Sequence, residues 1–206
     1  MYFNKLEALI SGWREDFQVG EFPFYLVQIA PFKYNRKKPG DDTILCKNIW
    51  QAQYRAAREL TNCGLVPIHD TIHGKITDIH PWDKQPVSER LAQLALKNQY
   101  GKSVVVSVPE FESALRKGNV VEVSFKHVDK GLVTNDQLSP TGFEVAGKDQ
   151  VFVAATAVLK EDVVEVTSDA VERIEYIRMG WKETLVPNLA DKNGWPAFQF
   201  GAQKVQ

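Results

Sequence analysis

Apolar residues recur at two different periods along the 206-residue chain, and the change in period divides it into two halves. In the first half, apolar positions from Leu6 to Trp13 recur at helical spacing and predict an amphipathic helix. The mostly apolar run over 23–30 predicts a buried strand of the kind found in parallel sheets. The predicted elements are helix 3–16, strand 23–30, an exposed loop over 31–47, helix 48–60, strand 64–68, and a third helix from Asp83, as its N-cap, to about Tyr100. Alternating helices and strands predict part of an α/β layered domain.

After Gly101 the apolar runs become short, and several alternate with polar residues, as in residues 121–125. Turn-forming residues such as Gly118 and Asn119 separate these runs. Short alternating strands with turns between them predict an antiparallel β-sandwich. The predicted strands are 104–108, 120–125, 143–146, 151–159, 163–166 and 176–179. We therefore expect residues 1–105 to belong to the α/β domain and residues 106–206 to form the sandwich.

The α/β half contains only two clear strands, which is few for a doubly wound sheet. An open sheet edge would leave apolar surface exposed. We therefore expect further strands to come from another chain, or the chain to be a fragment of a longer protein.

Composition narrows the class of protein. With 44% hydrophobic and 25% charged residues, the chain resembles an ordinary globular protein rather than a disordered one. A net charge of -1, with no basic stripe, argues against a nucleic-acid partner. No apolar run approaches 18 residues, and the N-terminus lacks the pattern of a signal peptide. Two cysteines, Cys46 and Cys63, are too few to indicate a redox compartment, so localisation stays open.

The segment 69–90 concentrates the residues that carry chemistry, because three of the four histidines lie there. It connects a predicted strand to a predicted helix, where α/β folds place their sites. Three interpretations are open: a solvated loop that caps the next helix, a metal site, or general acid-base catalysis by an imidazole. The candidate metal ligands are His69, Asp70, His73, Asp78 and His80, but their spacing matches no strong metal pattern.

The run Asp78-Ile79-His80-Pro81 and the residues after it resemble the catalytic-histidine block of sialate O-acetylesterases, within the SGNH hydrolase superfamily. Shorter matches to the same family extend in order along nearly the whole chain. They are Trp13-Arg14, Pro23-Phe24, Val27-Gln28, Ala52-Gln53, Asp70, Lys84, Val87, Arg90-Leu91, Ala95, Gly131-Leu132, the run from Gly142 to Gly147, Asp149, Arg178, Gly180-Trp181, Asn188-Leu189, Gly194, Pro196 and Phe198. Each match is short, and their common order makes the resemblance specific.

The resemblance implies that His80 is the general base of a serine hydrolase. Many SGNH enzymes carry an aspartate three residues before this histidine, where this chain has Thr77. The group that orients the imidazole is therefore either the Asp78 carboxylate or a backbone carbonyl of the loop. The family's Gly-Gln-Ser-Asn nucleophile block is absent from these 206 residues. Trp82 is a candidate for the sugar pocket, because sugars pack their apolar faces on aromatic rings.

We therefore expect a sialate O-acetylesterase-like enzyme that hydrolyses acetyl esters on sugars and needs neither a metal nor an organic cofactor. This chain supplies the histidine, and a missing N-terminal segment or chain supplies the serine, so the chain alone is expected to be inactive. Two alternatives stay open: a non-catalytic carbohydrate-binding fragment, and a metal-dependent deacetylase built on the cluster from His69 to His80. Which acetylated sugar is bound, and the oligomeric state, do not follow from the sequence.

Overall fold

The protein is described by a computed structural model covering residues 2–34, 46–73 and 75–206. It divides into two compact units, Met1–Val106 and Ser107–Gln206. Most of the predicted loop 31–47 lies outside the described residues. Its described ends are only partly exposed, because Phe32 and Cys46 are buried whereas Lys33 and Lys47 are exposed. None of the described helices is long and apolar enough to cross a membrane.

The first unit alternates helices with two parallel strands. Its elements are α1 (Tyr2–Phe17), β1 (Phe24–Val27), α2 (Lys47–Glu59), β2 (Cys63–Val66), a 3-10 helix (His69–Ile72) and α3 (Gln85–Asn98). The register pairs Phe24 with Cys63 and Val27 with Val66. An α/β arrangement is thereby confirmed, while the three-layer SGNH architecture stays a prediction.

Side-chain contacts explain how α2 and α3 pack against this strand pair. Gln53 of α2 accepts a hydrogen bond from the N–H of Ile29 at 3.0 Å and donates one to the carbonyl of Val27 at 2.8 Å. The amide therefore satisfies the backbone that leaves β1. On β2, a Cβ atom at Gly64 would lie 2.7 Å from the Leu94 side chain of α3. Glycine at this position allows α3 to approach the strand.

The start of α3 differs from the sequence prediction. The helix begins at Gln85 with Lys84 at the N-cap, and no side chain caps it. Pro86 lies in the first turn, where its missing N–H costs nothing. Asp83 does not cap the helix, because its carboxylate lies 3.2 Å from the Nε2 atom of His73.

The second unit, all of whose residues are described, contains antiparallel sheets. Its strands are β3 (Glu110–Lys117), β4 (Val120–Lys126), β5 (Leu132–Thr134), β6 (Phe143–Ala146), β7 (Val153–Ala154), β8 (Thr156–Lys160), β9 (Val163–Thr167), β10 (Tyr176–Met179), β11 (Leu189–Asp191) and β12 (Phe200–Lys204). Two sheets have four strands, in the orders β3-β4-β9-β8 and β12-β10-β6-β7, and β11 pairs with β5. Alternate residues such as Val121, Val123 and Val145 from both four-stranded sheets share one core. The β-rich, antiparallel class of this half is confirmed.

Two strand predictions in this half require correction. Residues 104–108 form no strand, and β3 begins instead at Glu110. The single strand predicted over 151–159 is two strands, because β7 pairs with β6 whereas β8 pairs with β9. Between them, the N–H of Ala155 donates to the carbonyl of Phe143 at 3.1 Å, where the chain passes from one sheet to the other. Strands β5, β11 and β12 were not predicted.

Candidate functional site

His80 lies in the loop between the 3-10 helix and α3, and its side chain is exposed. The Asp78 carboxylate accepts a hydrogen bond from the backbone N–H of His80 at 2.9 Å. This is the local turn contact typical of aspartate. Within residues 2–34, 46–73 and 75–206, the imidazole of His80 has no hydrogen-bond partner. The structure thus brings Asp78 to the backbone of His80 rather than to its ring, and the catalytic roles of both residues stay predictions.

Backbone contacts hold this loop at both ends. The N–H of Lys33, just after β1, donates to the carbonyl of Ile76 at 2.8 Å. At the far end, the Lys84 ammonium donates to the carbonyl of Pro81. Ser88, the serine nearest to His80 in sequence, donates from its hydroxyl to the carbonyl of Lys84 at 3.1 Å. That hydroxyl is therefore occupied by the first turn of α3.

Trp82 is 61% exposed, two residues after His80, and neighbouring side chains hold its ring. The His73 ring lies against it with centroids 5.1 Å apart and planes tilted by 35°. The Lys75 ammonium lies 5.5 Å from the centre of the ring. Asp83 in turn binds His73 at 3.2 Å. We name His73, Lys75, Trp82 and Asp83 the tryptophan platform; it presents a flat apolar surface beside the candidate base.

Sequence reasoning identified Trp82 but missed the residues that hold it. His73 was considered only as a metal ligand or a loop residue, and Asp83 only as a helix cap. The platform depends on a left-handed backbone at His73, with φ of 47°, which turns the chain after the 3-10 helix. Nothing in the residue spacing indicates such a turn at a histidine.

Asp70 and Arg90 form the base of the loop that carries His80. The two guanidinium nitrogens donate to the two carboxylate oxygens at 2.8 and 2.5 Å, and Arg90 also donates to the carbonyl of Pro67 at 3.0 Å. Such paired hydrogen bonds are strong and geometrically specific. Arg90 is buried, with 6% of its surface exposed. It links the chain after β2 to α3.

His69 is buried, with 1% of its surface exposed, and neither ring nitrogen has a hydrogen-bond partner. Burial lowers the pKa of this imidazole from 6.5 to about 4, since a charged ring would lose its hydration; the nearby Asp70 carboxylate opposes the shift. The ring is therefore neutral at pH 7. His69 is a core residue rather than an exposed loop residue, and substrate cannot reach it.

The five candidate metal ligands do not converge. Asp70 binds Arg90, His73 binds Asp83, Asp78 binds the loop backbone, and His69 is enclosed. In the described part of the chain, no three His, Cys, Asp or Glu side chains are placed to hold one ion. Cys46 is buried and Cys63 is partly exposed, and in the described part of the chain neither forms a disulfide.

The second-unit residues that match the acetylesterase family have structural roles. Glu144 is buried and binds Arg178 at 2.8 Å and Lys182 at 2.7 Å. Asn188 accepts a hydrogen bond from the N–H of Thr141 at 2.8 Å. These contacts fix strands and loops of this unit, and they give the buried Glu144 and Asn188 side chains partners.

Comparison with known proteins gives one informative finding. No family model and no curated protein matches the sequence. Among solved structures, the chain is similar to the crystal structure of a carbohydrate acetylesterase from Xanthomonas citri, with a TM-score of 0.84 and 32% sequence identity. The match covers 97% of this chain and 45% of that protein, so the chain spans less than half of its length. Nearly the whole chain is thus similar, in sequence and in fold, to part of a carbohydrate acetylesterase.

Proposed function

We propose that this chain is part of a carbohydrate O-acetylesterase, sialate O-acetylesterase-like, that hydrolyses acetyl esters on sugars by a serine mechanism. The observation that carries the proposal is the 32% identity to a carbohydrate acetylesterase over 97% of the chain. The collinear family residues support it, in particular the segment Asp78-Ile79-His80-Pro81.

The proposed reaction uses His80 as general base. A serine oxygen attacks the acetyl carbonyl while the imidazole takes the serine proton. The tetrahedral intermediate collapses, the sugar oxygen leaves with that proton, and the acetyl group stays on the serine. Water then attacks the acetyl-enzyme and loses a proton to His80. The second tetrahedral intermediate collapses to release acetate while His80 returns that proton to the serine oxygen. No metal or organic cofactor takes part.

The serine in this proposal comes from a part of the protein outside these 206 residues. None of the serines of this chain lies in a Gly-Gln-Ser-Asn or Gly-x-Ser-x-Gly sequence. The similar acetylesterase is more than twice the length of the matched region, which leaves room for such a segment. The same segment would supply the oxyanion-hole donors.

The domain assignment forms part of the proposal. Residues 1–105 are the C-terminal part of an SGNH α/β domain, and residues 106–206 are a β-sandwich domain. The parallel pair of β1 and β2 supports the first assignment. The common core of two four-stranded antiparallel sheets supports the second.

The decisive experiment compares His80→Ala with the parent enzyme when this chain is joined to a segment carrying the serine. We expect kcat on an acetylated oligosaccharide to fall by about 10³-fold or more, since only the oxyanion hole and binding remain. His127→Ala, a histidine of the other unit, serves as the control. Equal activity of the parent and the His80 variant would refute the proposal.

The tryptophan platform gives a test of substrate class. Sugar rings pack their C–H faces on exposed aromatic planes, so Trp82 is proposed to bind the sugar that carries the ester. Trp82→Ala should raise KM about tenfold with a smaller change in kcat, and Trp82→Phe should restore most of the affinity. An unchanged KM would remove Trp82 from the binding site.

The second candidate function is a non-catalytic carbohydrate-binding fragment. The absence of a nucleophile block from these 206 residues favours it, because a base without a nucleophile transfers no acyl group. Hydrolysis of p-nitrophenyl acetate by the chain alone, if lost in the His80→Ala variant, would contradict this candidate. The same result would also contradict the proposal that the serine lies outside these 206 residues.

A further inference from the structure

A cavity of about 530 Å³ lies at one end of the β3-β4-β9-β8 sheet, within the second unit. It lies beside the turn that joins β3 to β4 and the segment that follows β9. The residues that matter for its chemistry are Arg116, Asn119, Ser168, Asp169, Val171 and Glu172. We name it the hairpin cavity. Its volume lies within the range of about 300–1,000 Å³ typical of small-molecule sites.

Arg116 gives the cavity hydrogen-bond donors that the protein does not use. One terminal nitrogen of its guanidinium donates to the carbonyl of Ile174, which fixes the side chain. Its Nε atom is buried and has no acceptor. A guanidinium carries five N–H donors, and the described residues supply one acceptor. The Nε proton is enclosed and cannot meet a ligand, so the donors left for a ligand are the N–H groups of the two terminal nitrogens that Ile174 does not take.

Other residues that line the cavity supply acceptors and a further donor. Within the described residues, the carboxylates of Asp169 and Glu172 have no ion-pair or hydrogen-bond partner. The Ser168 hydroxyl accepts from the N–H of Ala170 at 3.3 Å, which leaves its own proton free to donate. The Asn119 amide adds one acceptor and two donors.

The charges of the residues that line the hairpin cavity sum to zero. This neutrality helps to decide whether an anion, a cation or a neutral compound fits the cavity. Arg116 and Arg173 carry positive charge, while Asp169 and Glu172 carry negative charge. An anion would meet two carboxylates, and a cation would meet two guanidinium groups. A neutral polyhydroxyl compound satisfies both sets, because each hydroxyl donates once and accepts up to twice. The partly exposed side chain of Val171 adds an apolar surface for its C–H groups.

We propose that the hairpin cavity is a non-catalytic binding site for a neutral saccharide unit. Only the suggestion that this saccharide belongs to the glycan whose esters are cleaved rests on the proposed function. Binding itself requires neither the serine nor His80. The site would hold the glycan chain to the second unit and raise its local concentration.

Titration of the 206-residue chain with unacetylated xylotriose, followed by isothermal calorimetry or ligand-observed NMR, tests this proposal. We expect a Kd of about 1 mM, as few hydrogen bonds in an open cavity provide only modest affinity. The double change Asp169→Asn and Glu172→Gln should weaken binding about tenfold, since it replaces charged acceptors with neutral ones. Both side chains are exposed, so the variant should fold, which circular dichroism verifies.

Matched controls separate this site from the proposed catalytic site. Glu112→Gln changes an exposed acid of the same sheet, and His80→Ala changes the candidate base; both should bind xylotriose like the parent. Absent binding, or binding insensitive to the cavity variant, would overturn the proposal. Glucuronate binding more tightly than xylotriose would identify an anion site instead and would also overturn it. When this chain is joined to a segment carrying the serine, loss of esterase activity in His80→Ala with intact xylotriose binding would confirm that the two sites are independent.

Discussion

The buried imidazole of His69 should make the stability of the first unit depend on pH. The ring is 1% exposed, and both nitrogens lack partners, so protonation in the folded state would bury a charge. The pKa of the folded ring is therefore about 4, against 6.5 for an accessible histidine. Between these values the unfolded chain binds a proton that the folded chain does not. The contribution of the neutral His69 ring to the free energy of unfolding is therefore fully present above about pH 7. It is lost as the pH is lowered from 7 toward 4.

The size of this loss of stability follows from the difference between the folded and unfolded pKa values of His69. A shift of 2.5 units, from 6.5 to about 4, corresponds to about 3 kcal/mol at about 1.4 kcal/mol per unit. This loss is complete only below pH 4. Between pH 7 and pH 5, the same relation gives a loss of roughly 2 kcal/mol in the free energy of unfolding.

Replacing His69 with leucine isolates this contribution. Because neither ring nitrogen is bonded, the change removes no hydrogen bond, and we expect the free energy of unfolding at pH 7 to change by less than about 1 kcal/mol. Between pH 7 and pH 5, the variant should lose roughly 2 kcal/mol less than the parent.

Urea denaturation of the 206-residue chain, followed by circular dichroism at 222 nm, measures this difference. The α-helices in the described part of the chain all lie in the first unit, so the helical signal reports on it. His80→Gln is the control, since its side chain is exposed to water when folded. Equal pH dependence of the parent and the His69→Leu variant would refute the argument that burial suppresses protonation.

Three further substitutions test the loop base, the helix packing and the orientation of the candidate base. Arg90→Ala should lower the free energy of unfolding by about 3 kcal/mol, because it leaves the Asp70 carboxylate unpaired, and a loss below about 1 kcal/mol would show that the pair is unimportant. Gly64→Ala should cost about 1–2 kcal/mol in the same assay, since its Cβ meets α3; a neutral effect would mean that the helix moves freely. In the joined enzyme, Asp78→Asn should lower kcat by less than about tenfold, because the amide oxygen can still accept from the His80 N–H. A loss near 10⁴-fold would instead assign the carboxylate to the imidazole.

Periodic segments were predictable from the sequence, because their periodicity depends only on which side of an element faces the core. The spacing of Leu6 and Ile10 placed α1 correctly, and alternation placed β4, with Val121 and Val123 inward. Strand β3 carries polar or charged residues at most positions and has only Ala114 as a buried apolar residue. Its pairing with β4 decides its conformation, so local pattern could not reveal it.

In the candidate site, too, some residues were indicated by the sequence, whereas the environment of others is visible only in the tertiary structure. Resemblance in sequence indicated His80, Asp78 and Trp82, because the family residues lie in order along the chain. The environment of the neighbouring residues depends on distant contacts. His69 and Arg90 are polar residues that a sequence places by default at the surface, and only the packing of α3 against β2 shows that both are buried.

The sequence by itself determined the helices and alternating strands such as β4, since each is written in local spacing. It also predicts the two-part organisation and, from short runs of residues, His80 as the candidate base. Tertiary structure alone decided which polar residues lose their water. Burial and partner choice are set by elements far apart in the chain, as the pairing of Asp70 with Arg90, 20 residues away, demonstrates. The same holds for the platform, where a left-handed turn at His73 brings its ring against Trp82.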